Sequence, residues 1–157
     1  MAVDLSDSRL EFARSLGATH VFNAKAPDAE AAIHTATSGG VDRALAFAGA
    51  NPALSLAYNV TRRGGTTVTA GLPPPTSSCG LSVTKLVGEE RNLKDSYIGT
   101  CVPSRDIPRY ISIYMQGHLP VDRLLTARLA LEDINHGFDL LHDGAAIRLI
   151  VEFPSKS

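Results

Sequence analysis

Short apolar runs alternate along the chain with longer amphipathic segments. The apolar runs, bounded by glycines or polar residues, predict strands at 2–5, 19–22, 41–47, 66–70, 94–98, 125–131 and 147–153. The amphipathic segments predict helices that run from a capping region at 6–8 to residue 16, and over 28–37, 52–60, 106–116 and 132–142. Strands that alternate with helices indicate βαβ units and right-handed crossovers, with helices on both faces. The expected fold is therefore an α/β, doubly wound parallel sheet, and its ligands should lie at the carboxyl ends of the strands.

The first predicted strand ends in an acid, Asp4. In a dinucleotide-binding domain a carboxylate at this point accepts hydrogen bonds from the adenosine ribose, and it repels a 2′-phosphate. Arg9 lies in the first turn of the following helix, from which it can approach the same ribose or a phosphate. A loop or helix-capping acid would look the same in the sequence, so Asp4 alone favours NAD over NADP without deciding it.

Two further strands end in small residues, which let a cofactor approach the backbone closely. One predicted strand ends at Phe47, Ala48 and Gly49, and the next ends at Ala70, Gly71 and Leu72. Ordinary turn chemistry explains each glycine equally well. The two small strand ends are more specific together, because they follow an acid-terminated strand in the order that a dinucleotide site requires.

Composition and charge exclude several other classes. The 157 residues are 44% hydrophobic and 20% charged, with a formal net charge of −1, so the sequence carries no nucleic-acid footprint. No apolar run approaches the roughly 20 residues of a membrane span, and the N-terminus lacks the pattern of a signal peptide. We expect free thiols at Cys79 and Cys101 and a cytoplasmic protein. The five histidines are scattered, and no His, Cys or Asp pair has zinc-ligand spacing.

Five segments together resemble the zinc-type medium-chain alcohol dehydrogenases. The resemblance lies in residues 2–21, the Gly-Gly-Val-Asp segment at 39–49, and residues 64–74, 99–108 and 133–148. They cover nearly the whole chain, and their order and spacing are more specific than any one of them. The resemblance implies the C-terminal, coenzyme-binding portion of such an enzyme, with a partial Rossmann domain over 1–97 and a segment over 98–157 that returns to the catalytic domain.

The resemblance also implies a role for each candidate residue. Asp4 would bind the adenosine ribose, with Arg9 in place of the usual lysine. The strand-end residues would line the nicotinamide half of the site, namely Ala48, Gly49, Ala70, Gly71 and Leu72. Tyr97, Ile98 and Gly99 would lie near the nicotinamide amide and the pyrophosphate. Arg148 would reach a cofactor phosphate, which a guanidinium can bind through two hydrogen bonds.

Three features of this family are absent from the sequence. There is no strand followed by a G-x-G-x-x-G turn, no set of catalytic zinc ligands and no group of closely spaced structural cysteines. Because the missing first strand is central in the order 3-2-1-4-5-6, two strands would keep unpaired edges, which invite pairing with another chain. We therefore expect no catalytic or metal-binding residue here, NAD in a partial site, and as partner either another copy or an N-terminal catalytic domain.

Three functions remain open at this point. The first is an NAD-dependent alcohol dehydrogenase, acting with zinc on an alcohol or aldehyde, of which this chain is the coenzyme-binding portion and inactive alone. The second is a non-catalytic nucleotide-binding or oligomerisation module derived from that family. The third is a methyltransferase, whose second strand also ends in an acid, although the Gly-rich first turn of that fold is absent here.

Overall fold

A computed structural model describes residues 1–153 of the chain. It divides into two compact units, Met1–Thr100 and a second unit that begins at Cys101. The first unit contains β1 (Ala2–Asp4), α1 (Asp7–Ser15), β2 (Val21–Asn23), α2 (Ala29–Ala36), β3 (Val41–Ala46), α3 (Asn51–Val60), β4 (Thr61–Thr69), α4 (Val83–Gly88) and β5 (Asn92–Asp95). The second contains α5 (Pro103–Met115), β6 (Leu125–Ala130), α6 (Ile134–His142) and β7 (Arg148–Glu152).

All strand pairs are parallel, as the alternation of strands and helices predicts. The first unit holds one sheet of β1 and β2 and another in the order β3-β4-β5, while β6 pairs with β7 in the second unit. Within residues 1–153, β1 pairs only with β2, and β3 pairs only with β4. The predicted interruption between these two strands is therefore present, and the expected fold class is confirmed.

The core of the first unit lies on one face of the β3 sheet. Ile33 from α2, Ala44 from β3 and Val60 from α3 are buried together there. Leu45, which points to the opposite face of β3, is 60% exposed. In a doubly wound sheet both faces are covered by helices, so this strand presents an apolar surface that a neighbouring element would normally bury.

The buried side chain of Arg91, the residue before β5, binds to the end of α3. The Arg91 side chain, 6% exposed, pairs with Glu89 at 2.5 Å. Its Nη1 donates to the carbonyls of Tyr58 and Asn59, and its guanidinium carbon lies 5.1 Å from the centroid of the Tyr58 ring. These carbonyls are at the end of α3, where a helix leaves acceptors without intrahelical partners, so Arg91 satisfies them in place of water.

One predicted strand, close to the boundary between the units, is wrong in its position. We expected a strand over 94–98, but β5 is Asn92–Asp95, and Tyr97, Ile98 and Gly99 lie outside it. Ile98, Gly99 and Thr100 have φ angles of 51°, 67° and 52°, which extended backbone does not allow. The short apolar run hid this turn, because isoleucine and threonine rarely adopt left-handed conformations.

Two helices also differ from the expected pattern. The sequence did not predict α4, which is capped by Ser82, whose side chain accepts a hydrogen bond from the Lys85 amide. Helix α5 begins at Pro103 rather than at residue 106, because proline suits a first turn and Asp106 accepts a hydrogen bond from the Val102 amide at 2.8 Å. No helix within residues 1–153 is both long enough and apolar enough to cross a bilayer.

Candidate coenzyme-binding site

The carboxyl ends of β3 and β4 meet in a backbone contact between two loops. The amides of Ala70 and Gly71 both donate to the Ala46 carbonyl, at 2.9 and 3.2 Å. A Cβ added to Gly71 would lie 2.5 Å from the Phe47 carbonyl oxygen and closer still to the Gly49 amide. Only glycine fits here, so the two small strand ends predicted from the sequence lie together.

Gly49 completes this contact from the other side. It has a φ of 62°, and a Cβ there would lie 2.8 Å from the Leu72 carbonyl oxygen. A shallow depression opens beside the contact, lined by Ala46, Gly49, Ala50, Asn51, Leu54, Thr69, Gly71 and Pro73. The depression therefore lies at the N-terminus of α3 and at the strand ends, where an α/β sheet binds its ligands.

Sequence reasoning missed the residues of α3 that line the depression. Asn51 donates from Nδ2 to the Ser78 carbonyl at 2.6 Å, and Cys79 Sγ lies 3.3 Å from Ser55 Oγ. These contacts fix the proline-rich loop after β4 against α3. The sequence Asn51-Pro52 was a signal that could have identified these residues, because a helix that starts there places its first turn at the carboxyl ends of the strands.

Large apolar side chains stand exposed at the same edge. Phe47 is 70% exposed and Leu72 is 82% exposed. Exposed apolar groups beside a groove are typical of ligand or partner sites.

Asp4 ends β1 at the equivalent edge of the other sheet. It is half-buried, and its Oδ1 accepts a hydrogen bond from the Ser6 amide at 2.9 Å. The Asp4 carbonyl accepts from the Ala24 amide at 2.9 Å, which ties it to the end of β2. A carboxylate can accept about four hydrogen bonds, so Asp4 keeps the capacity to receive both hydroxyls of a ribose. Arg9 lies exposed in the first turns of α1, five residues on.

The remaining candidate residues do not line the depression described above. Tyr97 and Ile98 are 72% and 69% exposed, in the left-handed turn that ends the first unit with Gly99. Arg148 is an exposed residue that begins β7 in the second unit. Their coenzyme contacts remain predictions.

The described residues offer no zinc site, since no group of three or more His, Cys, Asp or Glu within 1–153 is arranged to hold a metal ion. The clearly perturbed carboxyl is Asp106 in the second unit. The Arg105 guanidinium, followed by the Val102 amide, holds the pKa of Asp106 below its ordinary value. Because both contacts lie at the start of α5, the Asp106 carboxylate stabilises the N-terminus of that helix.

These observations fit an adenine dinucleotide and do not fit zinc. An acceptor for the ribose, a glycine-only backbone contact and exposed apolar groups lie at the carboxyl ends of parallel strands. Within residues 1–153, His, Cys, Asp and Glu side chains do not cluster in threes or more in a way that could hold zinc.

Comparison with known proteins identifies the family and relatives of this chain. The family model described as zinc-binding dehydrogenase matches residues 1–115. The chain is 36% identical to an NDMA-dependent alcohol dehydrogenase of Amycolatopsis methanolica over 155 residues, which cover 96% of this chain and 42% of that protein. It is 31% identical to alcohol dehydrogenase 1 of Oryza sativa subsp. indica, covering 96% of this chain and 40% of that one.

Solved structures give the same result. The benzyl alcohol dehydrogenase of Acinetobacter calcoaceticus superposes with a TM-score of 0.92 at 31% identity, covering 97% of this chain and 42% of that chain. An alcohol dehydrogenase zinc-binding domain protein of Burkholderia ambifaria gives a TM-score of 0.91 at 33% identity, with 97% and 41% covered. The chain thus spans about two fifths of the length of these relatives, and it belongs to the zinc-binding dehydrogenase family.

Proposed function

We propose that this chain is the coenzyme-binding portion of an NAD-dependent, zinc-type alcohol dehydrogenase, which interconverts an alcohol and its aldehyde or ketone. The observation that carries the proposal is the glycine-only contact of Gly71 with Gly49, beside the exposed Phe47 and Leu72. Family membership supports it, because the chain matches the zinc-binding dehydrogenase model over residues 1–115.

The chain's own residues divide the binding work between the two sheets. Asp4 accepts hydrogen bonds from the adenosine ribose and repels a 2′-phosphate, which favours NAD over NADP. The backbone at Ala48, Gly49, Ala70 and Gly71 lines the nicotinamide half, where small residues allow close approach. Bound NAD supplies the hydride acceptor for the reaction.

Catalysis itself requires groups that the described residues do not provide. Since no metal-binding group is found within 1–153, nothing there would polarise an alcohol oxygen for hydride transfer. We therefore expect no turnover of ethanol and NAD by this chain with added zinc. Clear turnover would contradict the assignment of the chemistry to other parts of the enzyme.

Calorimetric titration of the chain with NAD and NADP tests the coenzyme site. We expect weak NAD binding and weaker NADP binding, and we expect Asp4→Asn to reduce that preference. Asp42→Asn is the matched control, because it removes one negative charge at the amino end of β3, in an exposed pair with Arg62. Absence of NAD binding, or equal loss of preference in both variants, would overturn the proposed site.

Association is the second part of the proposal. The open edges of β1 and β3 carry Val3, 40% exposed, and Leu45, 60% exposed. Unpaired edges with apolar side chains favour pairing with another chain, so we propose a second copy or the N-terminal catalytic portion as partner. Sedimentation velocity should show association. A strictly monomeric, cooperatively folded species would refute this part and leave the coenzyme site standing.

A derived, non-catalytic nucleotide-binding or oligomerisation module is the alternative that the sequence leaves open. Mixing the chain with a family N-terminal portion that carries the zinc ligands separates the two. Restored alcohol oxidation supports the dehydrogenase, whereas NAD binding without any restored activity supports the module.

A further inference from the structure

A second carboxylate is held next to Asp4 by a side chain from the neighbouring strand. Asn23, the last residue of β2, donates from Nδ2 to Asp7 Oδ1 at 2.6 Å. Its Oδ1 accepts a hydrogen bond from the Lys25 amide at 2.9 Å. With both ends of the amide engaged, Asn23 holds one orientation and fixes Asp7 at the start of α1.

The pairing of β1 with β2 places this carboxylate near the ribose acceptor. Asp4 and Asn23 are directly paired in the parallel register, and neighbouring strands lie about 5 Å apart. The side chain that holds Asp7 therefore comes from the residue beside Asp4. Asp7 is exposed, so its charge faces solvent near Asp4, the proposed ribose acceptor.

The formal charges of these two segments show what the Asp7 carboxylate contributes. Residues 4–9 and 23–25 carry two acids, Asp4 and Asp7, and two cations, Arg9 and Lys25. Their charges sum to zero with Asp7 and to +1 without it. Removing the Asp7 charge therefore makes the local charge more favourable for a 2′-phosphate, even with Asp4 in place.

We propose that Asp7, positioned by Asn23, is a second determinant of coenzyme specificity that disfavours a 2′-phosphorylated adenine nucleotide. The inference rests on the proposed coenzyme site and adds to the role of Asp4. Asp7 acts through its charge near the 2′-position, and Asn23 is a positioning residue.

The test titrates the full chain with adenosine 5′-monophosphate and adenosine 2′,5′-bisphosphate, followed by amide chemical shifts in NMR spectra. Asp7→Asn keeps the size of the side chain and removes its charge. We expect it to tighten bisphosphate binding about three- to tenfold, because a unit charge within about 8 Å in water changes the energy of a phosphate by that order. Binding of the monophosphate should change less than twofold in that comparison.

Two companion variants separate local charge from other effects. Asn23→Ala leaves the Asp7 charge but removes its tether, so we expect a change in the same direction and smaller than that of Asp7→Asn. Asp42→Asn makes the same change in net charge elsewhere and should leave the ratio of the two affinities unchanged. In high salt the effect of Asp7→Asn should shrink, because the Debye length falls from about 10 Å at 0.1 M to about 3 Å at 1 M.

Three outcomes are decisive. A selective gain for the bisphosphate in Asp7→Asn, lost in high salt, supports the inference. Equal changes for both nucleotides, or equal changes in Asp7→Asn and Asp42→Asn, overturn it while the proposed coenzyme site stands. If the wild-type chain binds neither nucleotide, the proposed site fails and the inference fails with it.

Discussion

Replacing Arg91 with methionine removes a buried cation while keeping a long apolar side chain. The Arg91 side chain is 6% exposed, and its partner Glu89 is 28% exposed. The substitution deletes the ion pair, the hydrogen bonds to the carbonyls of Tyr58 and Asn59, and the contact over the Tyr58 ring. The Asn59 carbonyl then loses its side-chain donor, while the Tyr58 carbonyl keeps a backbone amide at the end of α3.

The magnitude follows from what is left without a partner. Removing one partner of a buried ion pair costs about 3–5 kcal/mol, and a buried polar group without its hydrogen bond costs about 1–3 kcal/mol. Water can reach Glu89 in part, so we place the loss for Arg91→Met at about 2–4 kcal/mol in the free energy of unfolding. Since a domain is stable by only about 5–15 kcal/mol, this is a large fraction.

Urea unfolding at one fixed protein concentration measures the loss, because any association would make stability depend on concentration. Arg62→Met is the matched control. Arg62 pairs with Asp42 at 2.6 Å, but the two side chains are 53% and 79% exposed, so the control should lose at most about 1 kcal/mol. Values for Arg91→Met and Arg62→Met within about 0.5 kcal/mol of each other would refute the reasoning from burial.

Three further predictions concern single sites. Gly71→Ala should destabilise the chain by about 3 kcal/mol or more, since its Cβ would meet fixed backbone atoms, whereas Gly64→Ala, with open space around it, should lose about 1–2 kcal/mol for its left-handed backbone in thermal unfolding. Ser82→Ala should cost about 1 kcal/mol by removing the cap of α4, measured as amide exchange in that helix. The Arg105 guanidinium and the Val102 amide hold the pKa of Asp106 below its ordinary value in the folded chain. Its stabilisation of α5 should therefore be complete above the ordinary pKa and lost as the pH falls through the depressed one, and circular dichroism of Asp106→Asn should lack this acid-dependent step.

The sequence predicted much of the candidate site, because its residue types carry their own meaning. An acid directly after an apolar run made Asp4 a candidate, and glycines after strands made Gly49 and Gly71 candidates. The sequence could not reveal that Gly71 lies against Gly49, since that contact depends on the register of β3 with β4. The pairing of Asn23 with Asp7 was missed for the same reason, because it crosses from one element to another.

The sequence also failed to predict local conformations that have no periodic pattern of apolar residues. The strand expected over 94–98 ended at Asp95, because the backbone at Ile98 turns to a positive φ that its β-branched side chain disfavours. Such a conformation is imposed by surroundings rather than by local preference. The short helix α4 was not predicted, because six residues are too few for an apolar stripe to repeat.

By itself, the sequence determined the alternation of strands and helices apart from α4, the parallel α/β class and the resemblance that the family match confirmed. These follow from apolar periodicity and capping residues, which act over a few neighbouring positions. Only the tertiary structure decided which strands pair, which glycines meet and which charges are buried. The hydrogen bonds of Arg91 to the end of α3 and of Asn23 to Asp7 each join residues far apart in the chain. Their energies depend on burial and distance, which no local pattern encodes.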